Sequence, residues 1–382
     1  MTLIHSFKRR TVLRIAGLLF AISLGVYLVL SYRASLYTTV PSGPLWSSSL
    51  PTYSNQWNYT APSSLRQPNP NFKAAFVTLT KGDRAALSSL RQTIRDLEDN
   101  FNKDYGYPYI IFSNDVLTDE FKELASSIAH GDVVFYELGP EMYGYHNQTD
   151  RAKAAQARID MGEREIMFGD SEDYRFAARF MAGMIFRHPA LEDIDYYWRF
   201  EPGTEYMCPI LFDPFQFMFD HGKKISFSMA LYEYEETIPS LFNTVMEFAG
   251  QHPDIIQPKT GPNTLWHFII DAQTGGFNRC HFWSNFQIAD LNFFRGEQYQ
   301  TYFDFIDKSG GIFYERWGDP VIQTLGAVLF LEKQQIQFWQ NIGYRVANFF
   351  THCPPSLSIY SKCSCQPSQN FDFDGYSCLR FF

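Results

Sequence analysis

Apolar and polar positions fall into three regimes along the chain. From Ile15 to Tyr32 no charged side chain interrupts the run; as a helix it would be about 27 Å long at ~1.5 Å per residue, enough to cross a thin bilayer. From Ala34 to Pro70 periodicity disappears, prolines recur among Ser, Thr and Asn, and Arg66 is the one charge, the composition of an extended stem. Beyond Asn71, regular elements emerge. The run AAFVTL from Ala74 to Leu79 predicts a buried strand, Asp83 caps a helix whose apolar positions Leu87, Leu90, Ile94, Leu97 and Phe101 step by three and four, and PYIIF from Pro108 to Phe112 predicts the next strand. Strand, helix, strand with a short return makes a βαβ unit, with a parallel pair and a ligand crevice at the strand C-termini. No GxGxxG follows the first strand, which argues against a dinucleotide fold. DIDYYWRF, from Asp193 to Phe200, predicts another buried strand that ends on Glu201-Pro202-Gly203.

The flanks of the apolar run set its orientation. Lys8, Arg9, Arg10 and Arg14 precede it and only Arg33 follows, so the positive-inside rule keeps the N-terminus in the cytosol. The run is longer than a signal-peptide core of ~7 to 15 residues and no small-x-small cleavage site follows, which favours an anchor over a cleaved signal. The expected organisation is a cytosolic tail (1–14), a transmembrane signal anchor (15–32), a stem (33–70) and a lumenal domain (71–382), a single-pass type II protein. Two acceptor triplets, Asn58-Tyr59-Thr60 and Asn147-Gln148-Thr149, agree with a lumenal side. All six cysteines lie beyond the anchor, so up to three disulfides are expected, with the last ~30 residues a loop-rich cap pinned by them. Zinc is the alternative, but Cys363-Ser-Cys365 lacks a zinc-knuckle spacing and a nearby His pair.

Charge removes one class of partner. Across 382 residues, 41 acidic against 32 basic side chains give a net charge of −9, and no basic stripe offers the phosphate neutralisation that nucleic-acid binding needs. Aromatic residues make up 18%, a surplus that either fills a core or stacks on sugars.

Four blocks then carry a family resemblance: YYWRFEP (Tyr196 to Pro202), CHFWSNFQIAD (Cys280 to Asp290), GGIFYERWGD (Gly310 to Asp319) and the cysteine-bearing ending from Cys353 to Cys378. Together they resemble the fungal Golgi α-1,2-mannosyltransferases of the Kre/Mnt type, colinearly from about Asn71 to the C-terminus. The resemblance implies a GT-A-like, nucleotide-sugar-binding α/β fold with a mixed sheet flanked by helices, and retaining transfer of mannose from GDP-mannose, with Mn²⁺, to mannosylated glycoprotein or glycolipid acceptors of the cell-wall mannan kind. It implies residence in the Golgi membrane and opens the prospect of a complex with other Golgi mannosyltransferases. Carried onto this chain, it implies donor binding by Glu201, Glu315, Arg316 and Asp319, acceptor contacts from Tyr174, Trp283 and Asn285, and metal ligation by Glu201 and the residue at position 323.

The chain departs from the pattern that the resemblance implies. Gly203 stands where an Asp is expected, Gln287 where the carboxylate beneath the anomeric carbon is expected, and Gln323 where a metal-binding His is expected. Gln keeps shape and hydrogen bonding but carries no charge to stabilise an oxocarbenium-like transition state, and its carbonyl is a poorer ligand than imidazole. Ala178 replaces an expected Cys, which suggests a lost disulfide. Two functions follow: a mannosyltransferase with a weakened metal site, or a catalytically inactive relative that binds nucleotide, mannan or a partner transferase. His281, within an aromatic stretch, reads as a core residue rather than a base, and DSED from Asp170 to Asp173 as a solvated helix start.

Overall fold

The computed structural model describes residues 65, 67–347 and 349–382. The expected anchor and nearly all of the stem lie outside the described residues; among the described residues no helix is long and apolar enough to cross a membrane.

Strand β1 (Ala74–Leu79) forms where the apolar run predicts it. The Asp83 carboxylate accepts the Ala86 N–H at 2.9 Å and starts helix α1 (Arg84–Leu97), which buries Leu90, Ile94 and Leu97; Phe101 follows in a π-turn and joins the same core. Strand β2 (Tyr109–Ser113), helix α2 (Asp119–Ser126) and strand β3 (Val133–Glu137) extend the sheet on one side of β1, with β1, β2 and β3 parallel. Helices α3 (Arg151–Glu163) and α4 (Glu172–Ala182) then lead to β4 (Tyr196–Phe200), parallel to β1 on its other side. As expected, DSED starts a helix: the Ser171 hydroxyl accepts the Tyr174 N–H. The sequence predicts β4 from Asp193, but it starts at Tyr196, because the Asp195 carboxylate turns aside to accept the Lys73 N–H at 2.9 Å.

Beyond β4 come the short strands β5 (Glu205–Tyr206), β6 (Ile225–Phe227), β7 (Ala230–Tyr232), β8 (Cys280–Phe282), β9 (Phe286–Asp290), β10 (Ile336–Phe338), β11 (Tyr344–Val346) and β12 (Phe350–His352). The main sheet runs β10-β6-β9-β4-β1-β2-β3, with β9 antiparallel to both neighbours. It is the mixed sheet flanked by helices that was expected. Helices α5 (Leu241–Gln251), α6 (Glu297–Ser309) and α7 (Asp319–Phe330) complete the fold.

Strand alternation divides the core in two. Phe76 and Trp198 lie on the α1 side with ring centroids 5.1 Å apart, while Val77 and Tyr197 face the opposite core with α4, α6 and α7. The chain leaves β1 towards β2 on one side and returns to β4 on the other, so the C-terminal ends of β1 and β4 diverge and open a crevice.

All six cysteines pair: Cys208–Cys363, Cys280–Cys378 and Cys353–Cys365. The C-terminal segment is thus a pinned cap of short elements, as its lack of periodicity predicts. The zinc alternative fails, since the only close group of potential ligands among the described residues, Cys208, Cys363 and Cys365, is consumed by disulfides. Ala178, where the resemblance implies a Cys, packs in the core, and no thiol is left without a partner.

Candidate active site

Three elements converge on the crevice. Strand β4 delivers Glu201 at its C-terminal end. Antiparallel pairing places Phe286 opposite Phe200, so the β8–β9 turn, Trp283-Ser284-Asn285, arrives at the same end. Gly318 caps α7, whose first residues are Asp319 and Pro320. Proline suits a first turn because its missing N–H has no intrahelical partner there, and Asp319 in that turn gains from the helix dipole.

Arg199, buried on β4, donates to both Asp319 Oδ2 and the Ser284 hydroxyl (2.9 Å), and Ser284 Oγ donates to the same Asp319 oxygen at 2.6 Å. Burial opposes the Arg199 charge, but Asp319 and Glu201 outweigh it and raise its pKa above the usual arginine value. The Glu201 carboxylate lies 3.8 Å from Arg199 and is half exposed. It is reached by solvent from the crevice yet flanked by protein, and this burial raises its pKa, with Arg199 opposing and Asp319 adding. The enclosed part of the crevice is about 130 Å³, lined by Leu79, Tyr174, Met181, Arg199, Glu201 and Asp319 among others. That is below the ~300 Å³ of pockets that surround a drug-sized ligand, so it covers only part of a nucleotide sugar.

Arg316 borders this cluster. It is buried, donates to Glu233 Oε1 at 3.1 Å and lies over the Tyr174 ring at 5.0 Å. Burial pushes the Tyr174 hydroxyl up to about 12, against the pull of Arg316, which makes it a hydrogen-bonding group rather than a base at neutral pH. Asn285 Oδ1 and His281 Nδ1 are buried without a protein partner; burial lowers the His281 pKa, consistent with its reading as a neutral core residue.

The remaining expected site residues border the crevice without lining it. Gln287 and Gln323 form one buried chain of amides. Tyr197 Oη donates to Gln287 Oε1, Gln287 Nε2 donates to Gln323 Oε1 at 2.8 Å, and Gln323 Nε2 donates to the Met181 carbonyl at 2.8 Å. Both glutamines are about 2% exposed and lie behind Met181. Glu315 accepts from Ser240 Oγ (2.7 Å), the Ser240 N–H and the Trp317 indole, and so anchors the start of α5. Trp283 packs edge-on against Phe350 at 4.9 Å. Gly203 has φ +92°, a conformation that favours glycine, so the turn after β4 supplies its own reason for the absent Asp.

The glycolipid 2-alpha-mannosyltransferase family matches residues 51–382. The chain belongs to this family. The alpha-1,2 mannosyltransferase KTR1 of Saccharomyces cerevisiae is 37% identical over 377 residues, 98% of this chain and 94% of the relative. Glycolipid 2-alpha-mannosyltransferase 1 of Candida albicans is 40% identical over 312 residues, 81% of this chain and 71% of the relative. Among solved structures, the mannosyltransferase Ktr4p of S. cerevisiae in complex with GDP superposes with TM-score 0.76 at 31% identity, covering 83% of this chain and 84% of that one. Core-mannan synthase A of Aspergillus fumigatus, in its Mn/GDP form, gives 0.74 at 30%, covering 84% and 87%. These likenesses support the GT-A-like mixed α/β fold.

Within the mannosyltransferase fold, the side chains present fit a divalent cation at one residue. Glu201 offers a half-exposed hard oxygen, and such cations are often held by one or two carboxylates together with substrate phosphates. Gln323 does not fit, because its carbonyl oxygen already accepts from Gln287. Arg199, Ser284, Glu233 and Tyr197 are absent from the expected site. Arg199, Ser284 and Tyr197 lie inside the family blocks, which was the available signal; Glu233 carried none.

Proposed function

We propose that this chain transfers mannose from GDP-mannose to the 2-hydroxyl of a mannosylated glycoprotein or glycolipid acceptor with retention of the α configuration. The observation that carries the reading is the charged crevice at the C-terminal end of β4, where Glu201, Arg199, Asp319 and Ser284 meet, in a chain of this family. In the reaction the bond between the anomeric carbon and the β-phosphate oxygen breaks, the acceptor oxygen bonds to the anomeric carbon, and the acceptor proton passes to the departing phosphate. When bound, Mn²⁺ neutralises charge that accumulates on the leaving diphosphate. Glu201 would hold it, and the Arg199–Asp319–Ser284 cluster fixes the Glu201 surroundings. Gln287 is buried, carries no charge, and its oxygen accepts from Tyr197 while its amide donates to Gln323, so it supplies no nucleophile. Attack on the same face that the diphosphate leaves accounts for retention without one. Tyr174 Oη, at the crevice wall, is placed to orient a sugar hydroxyl.

The test is full-length protein in detergent with GDP-mannose, an α-methyl mannoside acceptor and Mn²⁺. Transfer of a mannose removable by an α-1,2-specific mannosidase is expected. GDP binding without transfer would restore the binding-only role, and neither binding nor transfer would overturn the reading of the crevice.

The protein is further proposed to be a type II Golgi membrane protein with its catalytic domain in the lumen. Three disulfides using all six cysteines support an oxidising compartment, and the charge asymmetry about the 15–32 run supports the orientation. Protease added outside sealed Golgi vesicles should spare everything beyond Tyr32; digestion of the domain would refute the topology.

A further inference from the structure

A second and larger concavity opens beside the crevice. It measures about 940 Å³ and is walled by the end of β7 and the residues after it, by the 270–279 loop, and by the C-terminal cap. Gly318 lies between the two: a Cβ there would stand 3.2 Å from Tyr174 Oη, which belongs to the crevice, and 3.9 Å from Glu233 Oε2, which belongs to the groove. Arg316 joins the same two residues, donating to Glu233 while lying over Tyr174.

The lining selects a chemical class. Tyr376 makes ring contacts with Tyr232 and Tyr234 at 6.0 and 6.2 Å, and Tyr234 is 45% exposed. Several of its charges already have partners: Arg279 donates to Glu235 at 2.6 Å, Glu233 accepts from Arg316, and Arg380 donates to Tyr232 Oη at 2.8 Å. Acidic side chains outnumber basic ones along the walls, which disfavours phosphates and anionic lipids, while the polar rim disfavours a purely apolar ligand. A neutral polyol suits both features. Tyrosine rings accept the C–H face of a pyranose, and the fixed carboxylates and guanidinium groups meet its hydroxyls.

The groove is also built rigidly. The Cys280–Cys378 disulfide ties the cap to β8. Next to it, Arg279 holds φ +69°, a left-handed backbone for a non-glycine residue, fixed by the Glu233 N–H donating to its carbonyl at 2.9 Å. Such conformations are unfavourable for a residue with a Cβ and gather at ligand sites.

We propose that this groove binds the acceptor glycan beyond its reacting sugar, so that the preferred acceptor is an α-linked oligomannoside rather than a single mannose. The proposal rests on the transferase reading above. The test uses full-length protein and two acceptors, α-methyl mannoside and an α-linked mannotriose, with wild type and Tyr234→Ala. Wild type should show a KM about tenfold lower for the triose, and Tyr234→Ala should remove that advantage, leaving kcat, the monosaccharide KM and GDP affinity unchanged. Equal KM values for the two acceptors in wild type, or an equal loss on both in the variant, would overturn it. If no transfer occurs at all, the transferase reading fails separately. Titration of mannotriose by NMR then decides the groove: binding weakened by Tyr234→Ala upholds it, and no binding rejects it.

Discussion

Arg199 and Gln287 face each other in register across β4 and β9, yet they belong to opposite kinds of environment. Arg199 is locked to Asp319 and Ser284 at the edge of a solvent-reached crevice, with Glu201 beside it. Gln287 sits in a sealed, neutral chain from Tyr197 through Gln323 to the Met181 carbonyl. The first region keeps charge available for an anionic substrate; the second is neutral, with its amides hydrogen-bonded in series. The contrast shows that the two glutamines are one substitution in physical terms, since each supplies the partner the other needs, and that they need not be two independent losses from a metal site.

Breaking the charged region should have the largest effect. Asp319→Ala removes the close partner of buried Arg199 and leaves it Ser284 and the more distant, half-exposed Glu201 carboxylate at 3.8 Å; loss of one partner from a buried pair costs about 3–5 kcal/mol. Denaturant unfolding should show that drop. A change below about 1 kcal/mol would mean that the Arg199 charge is solvated through the crevice and the two regions are less distinct than argued.

The neutral region can be sharpened by restoring its expected charges. Gln287→Glu alone faces a carboxylate oxygen to Gln323 Oε1; if Gln323 rotates to donate, its own carbonyl meets that of Met181, so one contact is lost whichever way it turns, at about 1–3 kcal/mol. Adding Gln323→His supplies two N–H donors once protonated, one for the Glu and one for Met181. The pair should therefore be less destabilising than the sum of its singles, measurable as a coupling in a double-mutant cycle. Additive effects would show that the amide chain is not a unit.

How far the sequence carried these conclusions differs by region. Strand β1, helix α1 and their Asp83 cap were legible because periodicity and capping are local, and Glu201 was legible because it ends a buried strand. The pairing of Gln287 with Gln323 was not, since it joins residues from β9 and α7 whose contact depends on the register of the sheet and the packing of a helix. The anchoring contact of Glu315 was not legible for a related reason. Its neighbours in the sequence are site residues, but its carboxylate turns to Ser240, 75 positions away. Glu233 was missed because its role exists only through Arg316.

Gly203 marks the border between strand and crevice, and the expectation that Asp would improve the site meets a backbone constraint. At φ +92° an L-residue pays a steric penalty of about 1–2 kcal/mol. A new Cβ would have room, with Ser89 3.7 Å away, so the loss should be conformational. Gly203→Asp should lower stability by that amount without strengthening Mn²⁺-dependent GDP binding; a gain in binding would return Gly203 to the list of lost ligands.

The smallest expected change in stability is also the one that separates stability from function. Burial raises the Glu201 pKa in the folded protein above its ordinary value of 4.5. A group shifted upward favours the folded state while protonated, so its contribution is fully present below pH 4.5 and is lost as pH rises through the raised folded value. At neutral pH the ionised carboxylate is thus a mild burden on the ligand-free fold. Glu201→Gln removes that burden, and because the side chain is half exposed and screened by solvent, the gain should be no more than about 1 °C in Tm at pH 7, shrinking to nothing in acid. The same variant should weaken Mn²⁺-dependent GDP binding by at least about tenfold, since it removes the one carboxylate left to hold the cation. Thermal melts from pH 4 to 8 without ligand, beside GDP titrations with Mn²⁺, measure both effects. A variant that melts lower at pH 7 would show that Glu201 is held chiefly by Arg199, and unchanged GDP affinity would move the cation away from β4.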